Sequence, residues 1–539
     1  MSSEPSDAHP SAEPADLAAR AAEKHVVVIG GGVSGLVAAR ECAGVGMRVT
    51  LLEAEEELGG AIRRVDLDAV VLDAGAESYA TRGGHVRALV EALGLTDRIV
   101  TPQAGGAWLA GIPGTGAAPL PVGGILGIPG NPFQDDVRRI IGWSGAWRAY
   151  LDRLRPPLTI GHQLSLGRMV ASRMGAKVRD RLVAPVTTGV YSASPDDVDV
   201  DVAAPGLNAA LTRVGSLSGA VLALRGESAA SGAKAPGAAV EGLRGGMYGL
   251  VEALAADLAE LGATVRTGVR VRAVERHDGA WQVETEQPRW DDADASADPD
   301  DARGTPAAGT AAPATGTPAE RTGADAAGTP AAGAVSEVLA ADAVVVATSE
   351  GVARSLLAAA VPTLAAAEQA ASPEIEIVTL LLDAPALRDA PRGTGVLTVP
   401  GSHTAKALTH STAKWSWVRE AAGEREIVRV SFGAQGEPAA TAGLDDEAAI
   451  DLARREAAAL LGVPLGAGQV VAGHRGRFVQ SQPASIIGSG ARREAAREAI
   501  QAVPGLTAVG AWLAGTGLAQ VVPDATEAAD RLRRALLWE

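Results

Sequence analysis

One cysteine, Cys42, stands in 539 residues. A lone thiol excludes an intrachain disulfide framework and any cysteine-based metal site. The eight histidines are scattered, without the spacing of a metal-binding helix motif, so no resident metal is expected. Aromatic residues make up 3% of the chain, too few to expect an aromatic cage. Basic charge is outweighed: 48 Lys and Arg against 64 Asp and Glu leave a formal charge of −16. Nucleic-acid partners, which need a basic face, are therefore not expected. Met1 to Lys24 lacks the basic and apolar regions of a signal peptide. Residues 1–24 read as a disordered tail and the protein as cytoplasmic.

Long apolar runs without breaks are also missing. Val100 to Gln134 and Ala499 to Pro523 carry no charge, but Gly111-Ile112-Pro113-Gly114 interrupts the first, and Pro504, Gly505, Gly510, Gly515 and Gly517 the second. A spanning helix needs about 20 regular apolar residues. Both stretches read as buried or cofactor-lining, and the first leaves room for a weak contact with a membrane surface.

What is present begins at His25. Val26-Val27-Val28-Ile29 is a continuous apolar run of the kind buried in parallel sheets. The turn Gly30-Gly31-Gly32-Val33-Ser34-Gly35 follows, then a helix rich in Ala and Val to Gly46. Val49-Thr50-Leu51-Leu52 forms a second strand, ending in Glu53. This is a βαβ unit with GxGxxG at Gly30, Gly32 and Gly35. The first glycine permits the turn, the second lets backbone approach a pyrophosphate, and the third lets helix and strand pack closely. A helix N-terminus meets the phosphates with free N–H groups. Glu53 stands where a carboxylate accepts ribose hydroxyls. GxGxxG alone is a weak signal, and a ligand-free turn is the plainer alternative.

Two further glycine clusters strengthen the dinucleotide reading. Glu53-Ala54 and, three residues on, Leu58-Gly59-Gly60-Ala61-Ile62-Arg63 place a second flexible backbone near the phosphates, an extension typical of FAD rather than NAD; a structural turn is the alternative. At the far end, Thr507-Ala508-Val509-Gly510 precedes Gly515-Thr516-Gly517-Leu518, a strand, loop and helix start whose dipole can stabilise a reduced flavin. An ordinary strand–helix connection remains open there.

The expected fold is α/β: a split Rossmann-like FAD-binding domain with an inserted α+β substrate domain that includes a helical subdomain. Residues 25–100, 241–285, 335–372 and 500–539 are assigned to the first, and 101–240 with 373–499 to the second. Residues 286–334, dominated by Ala, Gly, Thr, Pro and Asp, read as a disordered insertion between two strands.

With these residues in view, the chain resembles the protoporphyrinogen and coproporphyrinogen oxidase family, within the amine-oxidase-like FAD superfamily. The likeness rests on Gly245-Gly246-Met247, on Asp73-Ala74-Gly75-Ala76-Glu77-Ser78, and on Leu164-Ser165-Leu166-Gly167. It rests also on Arg181 to Val186, Gly189-Val190-Tyr191, and Ala407 to Trp415. It implies that Gly75, Ala76, Glu77 and Ser78 lie beside the flavin, and that the backbone of Val271 meets the adenine. It also implies that Gly510, Leu518, Ala519 and Gln520 border the isoalloxazine. Ala76 replaces the family's usual proline, and Leu518-Ala519-Gln520 stands where the family has Ile-Pro-Asp. With Gly30 to Gly35, Glu53, Ala54, Gly60, Ala61 and Arg63, these are the expected cofactor residues.

The resemblance further implies oxidation of coproporphyrinogen III to coproporphyrin III, with O2 as acceptor and H2O2 as product, in haem biosynthesis. Protoporphyrinogen IX is the alternative substrate and a flavin amine oxidase the second alternative. A non-catalytic flavin protein is a third. Contact with a ferrochelatase goes with the first reading. The cofactor performs such chemistry, so the catalytic residues are left unknown. His403 and His410 are candidate bases by type only. Substrate propionates ask for cations: Arg63, Arg82, Arg168, Lys406 and Lys414 are candidates, though surface charge is the plainer role for each. Cys42, behind the turn, cannot reach a flavin ring, so FAD is expected to be non-covalent.

Overall fold

A computed structural model describes residues 14–155, 163–230, 240–287, 335–367, 369, 372–479 and 485–538. Its centre is a parallel five-stranded sheet. The strands run in the order Thr264–Arg266, Arg48–Leu52 (β2), His25–Ile29 (β1), Ala343–Val346 and Leu506–Ala508. Val26 stands opposite Val49 on one side and Ala343 on the other. Val26, Val27 and Val28 are fully buried, as are all four residues of Ala343–Val346, because helices and loops cover both faces. The sheet thus gathers strands from both termini and the middle of the chain.

The helix Val33–Ala43 (α2) crosses from β1 to β2 and shares an apolar core with the helices Tyr248–Glu260 and Leu518–Trp538. Another helix, Pro14–Glu23 (α1), precedes β1, so the expected tail is corrected over these residues. Leu17 and Ala21 lie four apart on one face, and Ala21 is buried in the same core. Pro14 suits the first helical position. Residues 1–13 lie outside the described residues.

An antiparallel sheet of Arg270–His277, Ala280–Gln287 and Val335–Ala341 flanks the centre. Its ladder runs out to Gln287 opposite Val335, so Glu286 and Gln287 are strand rather than insertion. Residues 288–334 lie outside the described residues.

The second body is a seven-stranded sheet. Its order is Val470–Val479, Glu374–Leu382, Glu426–Phe432, Ala407–His410, Gly395–Thr398, Ala107–Ile112 and Gly116–Pro119. Val378, Leu380, Val428 and Val430 point to one face, under the helix Asp446–Leu461. A helical part that includes Asp135–Tyr150, Leu166–Met174, Ala184–Tyr191, Leu207–Val214 and Leu217–Ala230 has its own core.

Ser489–Gln501 was assigned by sequence to the substrate part, up to residue 499. Its Ala496 and Ile500 instead pack with Val346 and Ala508 of the parallel sheet, so the chain returns to that body about ten residues early. Of the uncharged stretches, Val100–Gln134 supplies the hairpin Ala107–Ile112/Gly116–Pro119, with Leu109, Ile112 and Ile128 buried. Among the described residues no single helix is long and apolar enough to cross a membrane.

Candidate functional site

The glycine turn divides its labour by residue. A Cβ on Gly30, whose φ is +108°, would lie 2.6 Å from the Ala347 carbonyl oxygen. One on Gly35 would lie 1.9 Å from the Gly30 oxygen. One on Gly31 would meet the Leu58 side chain at 2.4 Å. A Cβ on Gly32 would meet nothing within 4 Å. Three glycines thus let the chain pack on itself, and Gly32 presents bare backbone to open space at the start of α2. Gly32 gives that helix no side-chain cap, so the first N–H groups, of Val33 and Ser34, stay available to an anion.

Glu53 is held beside this opening. Gly31 N–H donates to its Oε2 at 2.6 Å and Glu55 N–H to its Oε1 at 2.9 Å. Each oxygen keeps a lone pair for a hydroxyl. The Glu53 carbonyl accepts from Val269 N–H at 2.8 Å. Val271 lies two residues on, beside a bulge between itself and Ala273. Ala54 is exposed next to the carboxylate.

The second glycine pair lies directly on the first turn. Gly59 bridges to Gly32, and its N–H donates to the Gly31 carbonyl at 2.9 Å. A Cβ on Gly60 would sit 3.4 Å from Gly32 Cα. Gly60, Ala61 and Arg63 are exposed, with Arg63 Nε donating to the Gly60 carbonyl at 2.9 Å.

The segment Asp73–Ser78 follows. A Cβ on Gly75 would lie 2.3 Å from the Ala61 oxygen, and Ala74 N–H donates to the Arg63 carbonyl at 2.8 Å. Asp73 is buried and accepts Met247 N–H at 2.8 and 3.0 Å, at the start of the helix Tyr248–Glu260. Burial pushes its carboxyl up to about 6, against the pull of that N–H and of Arg429. This gives Gly245-Gly246-Met247 its role: any Cβ on Gly246 would come 2.8 Å from Asp73 Oδ1.

Glu77 is the electrostatic knot of the loop. Lys414 Nζ lies 2.5 Å from its Oε1, and Arg429 donates to its Oε2 at 3.0 Å. Arg429 also holds the Ala74 carbonyl at 3.0 Å and the Gly75 carbonyl. Burial alone would raise Glu77, but the two cations hold it down at about 2. The glycine loop is thereby fastened to the face of the seven-stranded sheet opposite the helix Asp446–Leu461.

At the C-terminal end, Gly510 adopts φ +131°. Thr348 joins the two ends: its Cγ2 would be 3.4 Å from a Cβ on Gly30 and its carbonyl 3.5 Å from one on Gly510. Gln520 and Val521 N–H both donate to the Gly517 carbonyl, which starts the 21-residue helix Leu518–Trp538. Leu518 and Ala519 pack on the core shared with α2. All three glycine constellations therefore meet at the carboxyl ends of the parallel strands, where open α/β sheets bind ligands.

Sequence reasoning missed Arg429. A single arginine inside the apolar run Glu426-Ile427-Val428-Arg429-Val430 was the available signal, since buried guanidinium needs a carboxylate. Of the candidate cations, Lys414 belongs to the Glu77 knot, and Arg63, Arg82 and Arg168 are exposed. Lys406 is mostly buried, with Nζ 2.6 Å from Ser192 Oγ. Neither histidine is placed as a base. His410 Nε2 pairs with Glu426 Oε2 at 3.1 Å, deep in the sheet. His403 Nδ1 lies 2.9 Å from its neighbour Ser402 Oγ, near Gly111.

The family model described as flavin containing amine oxidoreductase matches residues 33–300. The coproporphyrinogen III oxidase of Bacillus subtilis (strain 168) is 30% identical over 184 residues, covering 33% of this chain and 39% of that protein. The coproporphyrinogen III oxidase of Mycobacterium leprae is 26% identical over 436 residues, 78% of this chain and 80% of that one. The chain spans only 34–41% of the length of the first curated relatives it matches. Among solved structures, an Exiguobacterium protein provisionally described as a protoporphyrinogen oxidase superposes with TM-score 0.74 at 22% identity, over 95% of this chain and 99% of that one. That likeness establishes the fold.

Proposed function

We propose that this chain, a member of the flavin containing amine oxidoreductases, is an FAD-dependent porphyrinogen oxidase. Its reaction converts coproporphyrinogen III to coproporphyrin III with O2 as acceptor and H2O2 as product. The observation that carries the reading is the Arg429–Glu77–Lys414 knot, which fastens a dinucleotide loop to the second sheet on the face away from the helix Asp446–Leu461. A cofactor held by the first body then borders a substrate chamber built by the second. The curated relatives named coproporphyrinogen III oxidase supply the substrate class.

The residues fit FAD. Gly32 leaves backbone open for a pyrophosphate, and the α2 N–H groups face it. The Glu53 carboxylate takes ribose hydroxyls and repels a 2′-phosphate. The N-terminus of Leu518–Trp538 favours negative charge near the reacting ring. When bound, FAD supplies the two-electron acceptor. The protein's part is to orient, to keep water out and to hold the loop still. No side chain is assigned as a base, because both candidate histidines are engaged elsewhere. This reading takes the FAD as non-covalent, in keeping with a lone thiol that is buried within α2 and out of reach for a thioether link.

Weak contact with a membrane surface, and hand-over of product to a ferrochelatase, accompany this reading. Exposed Trp143 and Trp147, packed around Phe133 and Tyr150, offer an apolar footing for such a surface. The test is anaerobic. Purified protein loaded with FAD is mixed with coproporphyrinogen III, with protoporphyrinogen IX, and with a primary amine. Bleaching of the flavin by the first, and porphyrin fluorescence on admitting air, is the expected result. A higher kcat/KM for protoporphyrinogen IX would reassign the substrate, and bleaching by the amine alone would replace the reading.

A further inference from the structure

We propose that Lys406 is the specificity-determining cation of the substrate chamber, receiving one carboxylate of a porphyrinogen that carries propionates where its dicarboxylic analogue carries vinyl groups. The inference rests on the porphyrinogen reading and deepens it.

The backbone of Lys406 is pinned from both sides. Its N–H donates to the Ser431 carbonyl at 2.9 Å, and its carbonyl accepts the Thr398 N–H at 3.3 Å and hydroxyl at 3.0 Å. The side chain therefore leaves the sheet from a fixed point. It reaches Ser192, which ends the helix Ala184–Tyr191 in the left-handed conformation, φ +56°. The Ser192 carbonyl in turn accepts Gln435 N–H at 2.7 Å. One turn earlier, a Cβ on Gly189 would come 2.5 Å from the Leu397 side chain. This explains the Gly-Val-Tyr signature physically: glycine lets the helix press on the sheet, and the helix end then meets Lys406.

Lys406 is an electrostatically incomplete group. Arg173, Arg429 and Arg475 are buried cations, and each faces a carboxylate, of Asp152, Glu77 and Glu376. Lys406 is mostly buried, and among the described residues its ammonium meets a neutral hydroxyl and no carboxylate. An ammonium has three donors, so two remain. Burial without a counter-charge pushes it down to about 8, leaving it charged at neutral pH yet poorly solvated. A carboxylate arriving from outside the chain completes it. The Lys406 ammonium and the Ser192 hydroxyl make the corner that receives it. The corner matches the end of a propionate and disfavours a vinyl group, which would leave the ammonium desolvated and unpaired.

The test compares kcat/KM for coproporphyrinogen III and protoporphyrinogen IX in the FAD-loaded wild type, K406M, K406R, K406E and the surface control K177M. Flavin content and far-UV circular dichroism confirm folding. In K406M the ratio of the two kcat/KM values, tetracarboxylate over dicarboxylate, is expected to fall about 10- to 100-fold, mainly through KM. K406R should restore most of it, K406E should depress it further, and K177M should leave it at the wild-type value. A K406M that lowers both substrates equally, or a ratio that does not move, overturns the assignment while the porphyrinogen reading stands. A wild type that holds FAD and oxidises neither substrate overturns that reading and this inference together.

Discussion

Arg429 donates to Glu77 Oε2 at 3.0 Å across 352 residues of sequence, and the same guanidinium holds the carbonyls of Ala74 and Gly75. One side chain thus fixes the loop's charge and its backbone. Lys414 takes the other oxygen of Glu77. Removing Arg429 leaves a buried carboxylate with one cation and two carbonyls with none. R429M should cost about 3 kcal/mol, the lower end for breaking a buried pair, because Lys414 remains. Urea unfolding of the flavin-free protein measures this. On the proposed placement of the flavin against this loop, flavin retention on gel filtration should fall as well, since the loop is released. Unchanged retention would separate the clamp from the cofactor.

Gly32 and Gly35 make a contrasting pair. A methyl on Gly35 would clash with the Gly30 carbonyl at 1.9 Å, whereas one on Gly32 would touch nothing. G35A should destabilise the flavin-free fold by roughly 2–3 kcal/mol through overpacking against rigid backbone. G32A should leave its thermal midpoint within about 2 °C, yet weaken FAD affinity at least tenfold, because the methyl occupies the pyrophosphate's approach. Thermal scans with and without FAD distinguish the two. Equal affinity in G32A and wild type would move the dinucleotide elsewhere.

Two carboxylates set opposing slopes in the acid range. Burial raises Asp73 to about 6 from an ordinary 3.8, so its ionised form burdens the fold above pH 6 and the burden disappears below 3.8. Glu77 is desolvated but held down at about 2, from an ordinary 4.5, by Lys414 and Arg429. Its contribution is complete above pH 4.5 and is lost as pH falls toward 2. Each amounts to about 3 kcal/mol at most. From pH 7 down to 4, the stability of wild type should therefore rise relative to D73N. From pH 4.5 down to 2.5, it should fall relative to E77Q. Urea midpoints at pH 7, 5.5, 4.5 and 3 give both differences, and a reversed sign in either would contradict its cause.

Local features of this site were legible in sequence, and long-range ones were not. The β1–turn–α2–β2 unit and Glu53 lie within 30 residues, where apolar runs and glycine spacing speak directly. The Glu77 knot joins residues more than 330 apart, and nothing in Glu426 to Phe432 names the partner of its arginine. Pro14–Glu23 has a tail's composition, and one buried residue, Ala21, is too little to reveal a packed helix. Ser489–Gln501 is polar enough to pass for a substrate-side helix, although Ala496 and Ile500 return it to the parallel sheet. The five candidate cations were equivalent in sequence. Only burial and partners separate Lys406 from Lys414 and from the exposed arginines.

Cys42 bears on how the flavin is held. It lies on α2, fully buried among Leu36, Val37 and the C-terminal helix, and burial pushes its thiol up to about 12. At pH 8 roughly one molecule in 10⁴ then carries the thiolate, the only reactive form. A thiol reagent such as dithiobis(nitrobenzoate) should leave the native protein unlabelled for hours and label one thiol once urea unfolds it. Because no other cysteine exists, acid precipitation of the FAD-loaded protein should release the flavin to the supernatant. C42A removes one buried sulfur, should cost about 1 kcal/mol or less, and should leave flavin content unchanged. Flavin that stays with the pellet in wild type but not in C42A would show that α2 opens far enough to expose the thiol, which the packing of its buried face opposes.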